Sequence, residues 1–219
     1  TANISGVNDL YVSNQNISDL TGIEDFNALN KLRCNNNNLT NLDLSSCDSL
    51  QEINCVNNQL ISLDLSSNIL LNELYCSNNN LTNLDLSSNR LHGLNFDNNN
   101  LTNLDLGSCD SLQQISCVNN QLTSLDLSTN KLLFQLFCDN NNLTNLDLSS
   151  CDSLVKIEIN NNNISSLILP DNPKYRKNNW PYIKTLYLNN NNLSSLDFSI
   201  YDSLHIEYIE LSGNNILTL

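Results

Sequence analysis

The chain has 219 residues and a formal net charge of −14 at pH 7, with nine Lys and Arg against 23 Asp and Glu. This charge argues against nucleic acid as a partner, because affinity there rests on neutralising phosphates, and it disfavours an anionic membrane surface. The longest apolar runs are a few residues, far short of the ~20 that a membrane span needs, so we expect no membrane insertion. The chain begins at Thr1 without a visible signal peptide, which favours a mature or trimmed chain.

One unit recurs along almost the whole chain. Residues Leu39–Gln59 return as Leu101–Gln121 with three changes in 21 residues, and weaker copies fill most of the rest. The pattern L-x-x-L-x-L/C-x-x-N-x-L at this period is typical of leucine-rich repeats. Because such units contact mainly their neighbours, we predict one solenoid domain over residues 1–219.

Each repeat has apolar residues at positions 1, 4, 6, 11, 14 and 16, and Asn at position 9. We predict an N-terminal repeat with a short helix (1–28), regular repeats (29–169), an insertion (170–182) and C-terminal repeats of which the last is incomplete (183–219). The repeats begin at Val7, Leu29, Leu50, Leu71, Leu91, Leu112, Leu133, Leu154, Ile183 and Ile206.

Alternation around position 4 predicts a short strand with one buried face, and the same alternation returns about ten residues later. The predicted fold is therefore a β-rich leucine-rich-repeat solenoid with short parallel strands on both sides of the coil and little helix. Thr21 and Glu24 have the spacing of a capping box, which predicts a short helix within Thr21–Leu29.

Asn at position 9 indicates a turn, because Asn tolerates left-handed backbone and its amide can bond neighbouring backbone groups. Stacked copies are expected to form an Asn ladder that satisfies buried turn amides. The column comprises Asn37, Asn58, Asn79, Asn99, Asn120, Asn141, Asn162, Asn191 and Asn214.

Eight cysteines raise the question of disulfides or zinc. Five occupy position 6, where other repeats have Phe, Ile or Leu, and we predict that they are buried free thiols. Parallel strands in register aim their Cβ atoms the same way, which fits disulfide geometry poorly, and zinc needs convergent ligands. We therefore expect no metal and no cofactor. The position 6 cysteines are Cys34, Cys55, Cys76, Cys117 and Cys138, and those at position 19 are Cys47, Cys109 and Cys151.

The nested L-x-x-L-x-C/L-x-x-N-x-L and L-x-x-L-D-L-x-x-N/C motifs resemble the bacterial leucine-rich repeat class called IRREKO. The opening ISDLTGIEDFNAL is similar to the start of internalin-like bacterial repeat proteins. This resemblance implies a secreted or cell-surface protein that binds other proteins, often host molecules. It supplies no catalytic residues.

An Asp column at position 15 and Thr residues at position 12 face outward on the second half of each repeat. The Asp column suggests a structural or calcium-dependent surface array, although the carboxylates can instead accept hydrogen bonds from nearby Ser, Thr or backbone. The Thr residues suggest ice binding as a minor alternative. The Asp column comprises Asp43, Asp64, Asp85, Asp105, Asp126, Asp147 and Asp197, and the Thr column Thr40, Thr82, Thr102, Thr123 and Thr144.

Catalysis has little support in the sequence. The two histidines, His92 and His205, are five repeats and about 24 Å apart at ~4.8 Å per repeat. No Ser-His-Asp or Cys-His pair is placed to form. We expect a protein that is not an enzyme.

Outward positions 3, 5 and 7 of the first strand vary between repeats, and exposed aromatic and Arg side chains are typical of interface hot spots. The alternative is drift on a solvated sheet. The candidate partner-binding residues on this strand are Tyr11, Arg33, Tyr75, Phe137, Glu158, Tyr187, Tyr208 and Glu210.

The insertion Pro170–Tyr182 is rich in aromatic and basic residues within an acidic chain, and it adds the candidates Tyr175, Arg176, Lys177 and Trp180. It either contacts a partner or covers the edge of the coil. We expect a monomeric, extracellular protein-binding module of a bacterium, of the adhesin or virulence-factor kind, with a host protein as its ligand.

Overall fold

A computed structural model describes residues 4, 6–170, 183–198 and 206–218. Within these ranges the chain forms short strands, joined by turns, and one 3-10 helix over Ile23–Asp25. The strands are β1 (Asp9–Tyr11), β2 (Lys31–Arg33), β3 (Glu52–Asn54), β4 (Glu73–Tyr75), β5 (Gly93–Asn95), β6 (Gln114–Ser116), β7 (Gln135–Phe137), β8 (Asn145–Asp147), β9 (Lys156–Glu158), β10 (Ser166–Ile168), β11 (Thr185–Tyr187) and β12 (Tyr208–Glu210).

Ten strands form one parallel sheet in the order β1-β2-β3-β4-β5-β6-β7-β9-β11-β12. Equivalent positions of neighbouring repeats face each other, as Ile53 faces Leu74 and Leu94 faces Ile115. The central residue of each three-residue strand points into the coil, and its two neighbours point outward. The predicted parallel β-solenoid with very little helix is confirmed.

Regular strands are rarer on the second side of the coil than we predicted. Among the described residues only β8 and β10 pair there, together with one bridge between Ser195 and Thr218. In most repeats the Asp side chain at position 15 bonds the backbone N–H two residues on, as Asp64 does with Ser66 at 3.0 Å. Asp147 on β8 makes the same bond with Ser149 at 2.9 Å, so this bond is compatible with strand pairing.

The core is a continuous column of Leu, Ile and Cys side chains. Leu50, Leu60 and Leu74 have no exposed surface, and their equivalents in the other regular repeats are as deeply buried. The column thins at the last coil, where Ile209 retains 39% of its surface. Burying such side chains stabilises the fold by about 1.5–3 kcal/mol each.

The position 9 Asn ladder is confirmed, and Asn58 illustrates its geometry. The Asn58 amide donates to the carbonyl of Cys55 in its own repeat at 3.0 Å and to that of Cys34 in the preceding repeat at 3.1 Å. Its oxygen accepts the N–H of Leu39 at 3.0 Å. One buried side chain therefore joins two coils.

The left-handed backbone lies one residue earlier than we predicted, at position 8. These Asn side chains point to solvent, and some bond along the coil, as Asn119 does with Asn98 at 2.7 Å. The Asn residues at positions 8 and 9 therefore have different roles. The residue at position 8 makes the turn with its αL backbone, and the residue at position 9 points its side chain inward. The position 8 residues with φ between 54 and 57° are Asn36, Asn57, Asn78, Asn98, Asn119, Asn140, Asn161 and Asn190.

The helix near the N-terminus is a single 3-10 turn, and the predicted capping role of Thr21 is wrong. Gly22 occupies the N-cap with a left-handed φ of 104°. The Asp19 carboxylate instead accepts the hydroxyl of Thr21 at 2.7 Å and its N–H at 2.8 Å. Glu24 does reach back, and accepts the N–H of Gly22 at 2.8 Å.

All eight cysteines are free and buried, as predicted. Burial raises the pKa of the Cys34 and Cys76 thiols to about 12, so both stay protonated at neutral pH. Position 19, where the sequence motif has Asn or Cys, forms a second buried column of Cys47, Asn68, Asn89, Cys109, Asn130 and Cys151. The motif did not show how these Asn side chains bond. Cys47 and Asn68 are neighbours there, and the Asn68 amide donates to the Cys47 carbonyl at 2.9 Å.

Candidate functional site: the variable strand face

The candidate site is the outward surface of the ten-stranded sheet, formed by positions 3, 5 and 7 of each repeat, here called the variable face. Because the strands between β1 and β12 in this sheet have their central residue buried, positions 3 and 5 on either side of that residue point outward. All eight candidate residues predicted on the strands lie on this face. The sheet brings them together in three clusters.

The first cluster joins Tyr11, Arg33 and Glu52 on β1, β2 and β3. The Arg33 guanidinium lies over the Tyr11 ring, 4.7 Å from its centroid, and also contacts the Tyr11 hydroxyl. Arg33 donates to Glu52 Oε1 at 2.8 and 3.1 Å, and Lys31 binds Oε2 of the same carboxylate at 3.0 Å. The hydrogen bond with Glu52 raises the pKa of Arg33. The cluster fixes an aromatic ring, two cations and one carboxylate in one orientation.

A second cluster forms around Phe137 on β7 and Lys156 and Glu158 on β9. The Lys156 ammonium lies 4.9 Å from the centroid of the Phe137 ring and 2.7 Å from Glu158 Oε1. A cation thus lies between an aromatic face and a carboxylate, as it does in the first cluster.

Next to it, Tyr187, Tyr208 and Glu210 form an aromatic extension on β11 and β12. The two rings have centroids 5.2 Å apart, and the Tyr208 hydroxyl donates to Glu210 at 2.5 Å. This bond raises the pKa of Tyr208 and lowers that of Glu210. Tyr208 is 48% exposed and Tyr11, at the other end of the sheet, 63% exposed, so both rings are available to a partner.

The third cluster, between the other two, contains Tyr75 and Glu73 on β4. The Tyr75 hydroxyl donates to Glu73 Oε2 at 3.0 Å. Burial, followed by this bond to a carboxylate, raises the pKa of Tyr75 to about 12. The carboxylate lies over Gly93 on β5, where a Cβ atom would be 2.1 Å from Glu73 Oε2.

Position 7 adds two carboxylates that we did not single out from the sequence, Asp97 and Asp139. Asp97 Oδ1 accepts the Ser116 hydroxyl and the Val118 N–H, both at 2.7 Å. Asp139 Oδ1 accepts the N–H of Asn160 at 2.6 Å. Burial raises the pKa of both groups despite these bonds. We predicted that position 7 points outward, but the candidate residues on the strands came from positions 3 and 5 alone.

The four candidate residues of the insertion, Tyr175, Arg176, Lys177 and Trp180, lie outside the described residues, as does His205. Among the residues that the structure describes, no group of three or more His, Cys, Asp or Glu side chains is placed to hold a metal ion. None of the helices described is long and apolar enough to cross a membrane.

The opposite side of the coil is regular. Its Asp column accepts local backbone hydrogen bonds, for example Asp85 from Ser87 at 2.9 Å and Asp105 from Gly107 at 2.8 Å. The sequence left two alternatives for this column, a calcium array and local hydrogen bonds, and the structure shows the hydrogen bonds. Such bonds lower the pKa of Asp43, Asp64, Asp85 and Asp126.

No family model matches the sequence, and no curated protein does. Solved structures do match. The functional domain of InlJ from Listeria monocytogenes, which includes a cysteine ladder, is 28% identical with a TM-score of 0.63, over 99% of this chain and 56% of that one. YopM, a leucine-rich effector protein from Yersinia pestis, is 27% identical with a TM-score of 0.69, over 94% of this chain and 61% of that one.

The chain has the leucine-rich repeat fold. Internalin C2 from Listeria monocytogenes, at 21% identity, shares it with a TM-score of 0.72 over 95% of this chain and 82% of that one. The chain spans just over half of the InlJ chain, and 57% of a leucine-rich repeat protein from Leptospira interrogans.

Proposed function

We propose that this protein is a non-enzymatic protein–protein interaction module that binds its partner through the variable face. One observation carries the proposal. Aromatic and charged side chains differ from repeat to repeat on this face, whereas the opposite side repeats Thr, Asn and Asp. Ordered aromatic rings and Arg provide much of the binding energy at protein interfaces, and the contacts of Arg33 with Tyr11 and of Lys156 with Phe137 order such groups before binding.

The fold supports this role by analogy alone. LRIM1 and APL1C, whose structure matches this chain with a TM-score of 0.59, form a complex with each other. On the resemblance to bacterial surface and effector repeat proteins, we propose that the module is secreted or exposed on a bacterial cell. We further propose that it acts as a monomer and binds a host protein, with the insertion contributing at the edge of the face.

A binding screen against purified extracellular and serum proteins tests the proposal. Each protein that binds is re-measured by biolayer interferometry against Tyr75→Ala, Phe137→Ala and Tyr187→Ala. Because truncating a hot-spot residue costs 2 kcal/mol or more, we expect affinity to fall by about thirtyfold or more in at least one variant.

Thr82→Ala and Thr123→Ala are the matched controls, since both residues are exposed on the opposite side. We expect them to leave affinity unchanged. Partners whose affinity is unchanged in all three aromatic variants would contradict a role for the variable face.

A further inference from the structure

Both flanking clusters of the variable face contain a cation, whereas none of the outward residues of β4, β5 and β6 is Lys or Arg. We call the outward residues of β4 to β6, together with Asp97 and Asp139, the central strip. The flanking clusters each combine an aromatic ring, a carboxylate and a cation of this chain. These are Tyr11, Glu52 and Arg33 on one side, and Phe137, Glu158 and Lys156 on the other. In the central strip Tyr75 and Glu73 provide the ring and the carboxylate.

Among the described residues, no Lys or Arg forms an ion pair within the central strip. The ion pairs that the described part of the chain forms are Lys31 and Arg33 with Glu52, Lys156 with Glu158, and Lys184 with Glu207. None of them involves Glu73, Asp97 or Asp139. The strip therefore carries three carboxylates that form no ion pair with a described Lys or Arg, and all three are half-buried.

The shape of the strip leaves room for a partner. β5 and β6 carry only Gly93, Asn95, Gln114 and Ser116 on their outward positions, between Tyr75 and Phe137. Tyr75 and Phe137 are three strands apart, which is about 14 Å at ~4.8 Å per strand. This gap between two rings is wide enough for one extended segment.

The carboxylates also set a spacing. Glu73 lies at position 3 and Asp97 at position 7 of neighbouring repeats, which places them about 13 Å apart along the strand direction at ~3.3 Å per residue. An extended peptide lying along the strands covers that distance in about four residues, and residues i and i+4 of a strand point to the same side.

We propose that the central strip binds an extended segment of the partner protein that carries two Lys or Arg residues about four positions apart. The first basic side chain lies between the Tyr75 ring and the Glu73 carboxylate, in the arrangement that Lys156 has with Phe137 and Glu158. The second pairs with Asp97, whose buried charge then gains a counter-ion. This inference rests on the proposed function and adds the chemistry of the partner to it.

Selection from a display library of random 12-residue peptides on the full chain tests the inference. Enriched peptides are synthesised and their affinities measured by fluorescence anisotropy. We expect two basic residues about four positions apart, and binding at least tenfold weaker to the double variant Glu73→Gln/Asp97→Asn. Both amides keep an oxygen that can accept the bonds now made by Tyr75, Ser116 and Val118, so the fold is preserved.

The matched control is Asp64→Asn/Asp85→Asn on the opposite side. Either double variant changes the net charge from −14 to −12, because two carboxylates become amides. We expect the control to bind the peptides as the unaltered protein does. Equal weakening by both double variants would show attraction to bulk charge alone and would overturn the inference.

Two further outcomes separate the inference from the proposed function. Neutral or acidic peptides that lose affinity with Tyr75→Ala would overturn the inference and leave the proposed function standing. Peptides that bind equally well to Tyr75→Ala and Phe137→Ala would contradict both, and a selection that enriches no peptide would count against the inference.

Discussion

The hydroxyl of Tyr75 donates to the carboxylate of Glu73 at 3.0 Å, and that carboxylate fills the space over Gly93. Gly93→Ala would place a Cβ atom 2.1 Å from Glu73 Oε2 and displace the carboxylate. The flexible Glu73 side chain can move, so we expect the free energy of unfolding to change by less than about 1 kcal/mol, because the lost hydrogen bond is offset by the gain from replacing strand Gly by Ala.

The pKa of Tyr75 reports this displacement directly. It is about 12 in the unaltered protein, through burial and then the Glu73 carboxylate. In Gly93→Ala we expect it to fall while staying above the ordinary value, since burial remains. NMR titration of the ¹³C-labelled tyrosine ring measures it, with Glu73→Gln as the control that removes the charge. An unchanged pKa in both variants would show that the carboxylate does not act on Tyr75.

Asn58→Ala tests the amide ladder. It leaves the N–H of Leu39 without a partner. The carbonyls of Cys34 and Cys55 each lose one of two amide donors, because Asn37 and Asn79 still bond them. One unsatisfied buried group costs about 1–3 kcal/mol, so we expect the free energy of unfolding in urea to fall by roughly 2 kcal/mol. Asn83→Ala, at an exposed position, is expected to change it by less than about 0.5 kcal/mol. Equal effects of the two variants would contradict the structural role of the ladder.

The Asp column predicts loss of stability in acid. Hydrogen bonds from Ser66 and Ser87 lower the pKa of Asp64 and Asp85 below the ordinary 3.8. A lowered carboxyl pKa contributes stability that is present above 3.8 and is lost as the pH falls through the lower folded value. Urea midpoints at about pH 5 and about pH 2.5 should therefore differ less in Asp64→Asn/Asp85→Asn than in the unaltered protein. Identical differences would refute this origin of the acid sensitivity.

The Asp97 carboxylate has the opposite effect on stability from the carboxylates of the Asp column. Burial raises the pKa of Asp97, so the folded state disfavours the carboxylate at neutral pH. The penalty is present above the folded pKa and disappears below the ordinary 3.8, where the group is protonated in both states. We expect Asp97→Asn to raise the Tm at pH 7 and to leave it unchanged at about pH 3. A lower Tm at pH 7 would mean that the hydrogen bonds to Asp97 outweigh its burial.

Calcium distinguishes the binding module from a cation-dependent array. Asp105 and its equivalents already accept backbone N–H groups, and no group of three potential ligands occurs among the described residues. We therefore expect millimolar calcium to leave the Tm unchanged in the unaltered protein and in Asp105→Asn. A rise in Tm that Asp105→Asn abolishes would favour the array.

Much of this fold could be predicted from the sequence because the same pattern of residues recurs in nearly every repeat. Buried Leu, free Cys and the Asn ladder each follow from a residue type that recurs at one position. The αL residue was placed one position late because Asn fills positions 8 and 9 alike, and the pattern cannot tell which side chain points inward. The bond of Asn68 could not be predicted, because Asn and Cys share position 19 and the pattern does not show that the Asn68 amide donates to the Cys47 carbonyl.

For the candidate site, the sequence could predict which side chains point outward on the sheet, but not which of them contact each other. Periodicity shows that Arg33 and Glu73 point outward, but not that Arg33 contacts Tyr11 or that Glu73 lies over Gly93. Those contacts depend on the register between repeats of unequal length. The repeat before Gly93 is one residue shorter than its neighbours, and the sheet absorbs the difference at the turn and pairs Glu73 with Gly93.

Carboxyl footprinting of the protein, alone and bound to a partner from the binding screen, tests most directly whether the variable face is the binding surface. Carbodiimide labelling of each Asp and Glu is read by mass spectrometry. We expect labelling of Glu73 and Glu158 to fall in the complex, while labelling of Asp64 and Asp85 on the opposite side stays the same. Protection of Asp64 and Asp85 with unchanged labelling of Glu73 and Glu158 would contradict the assignment.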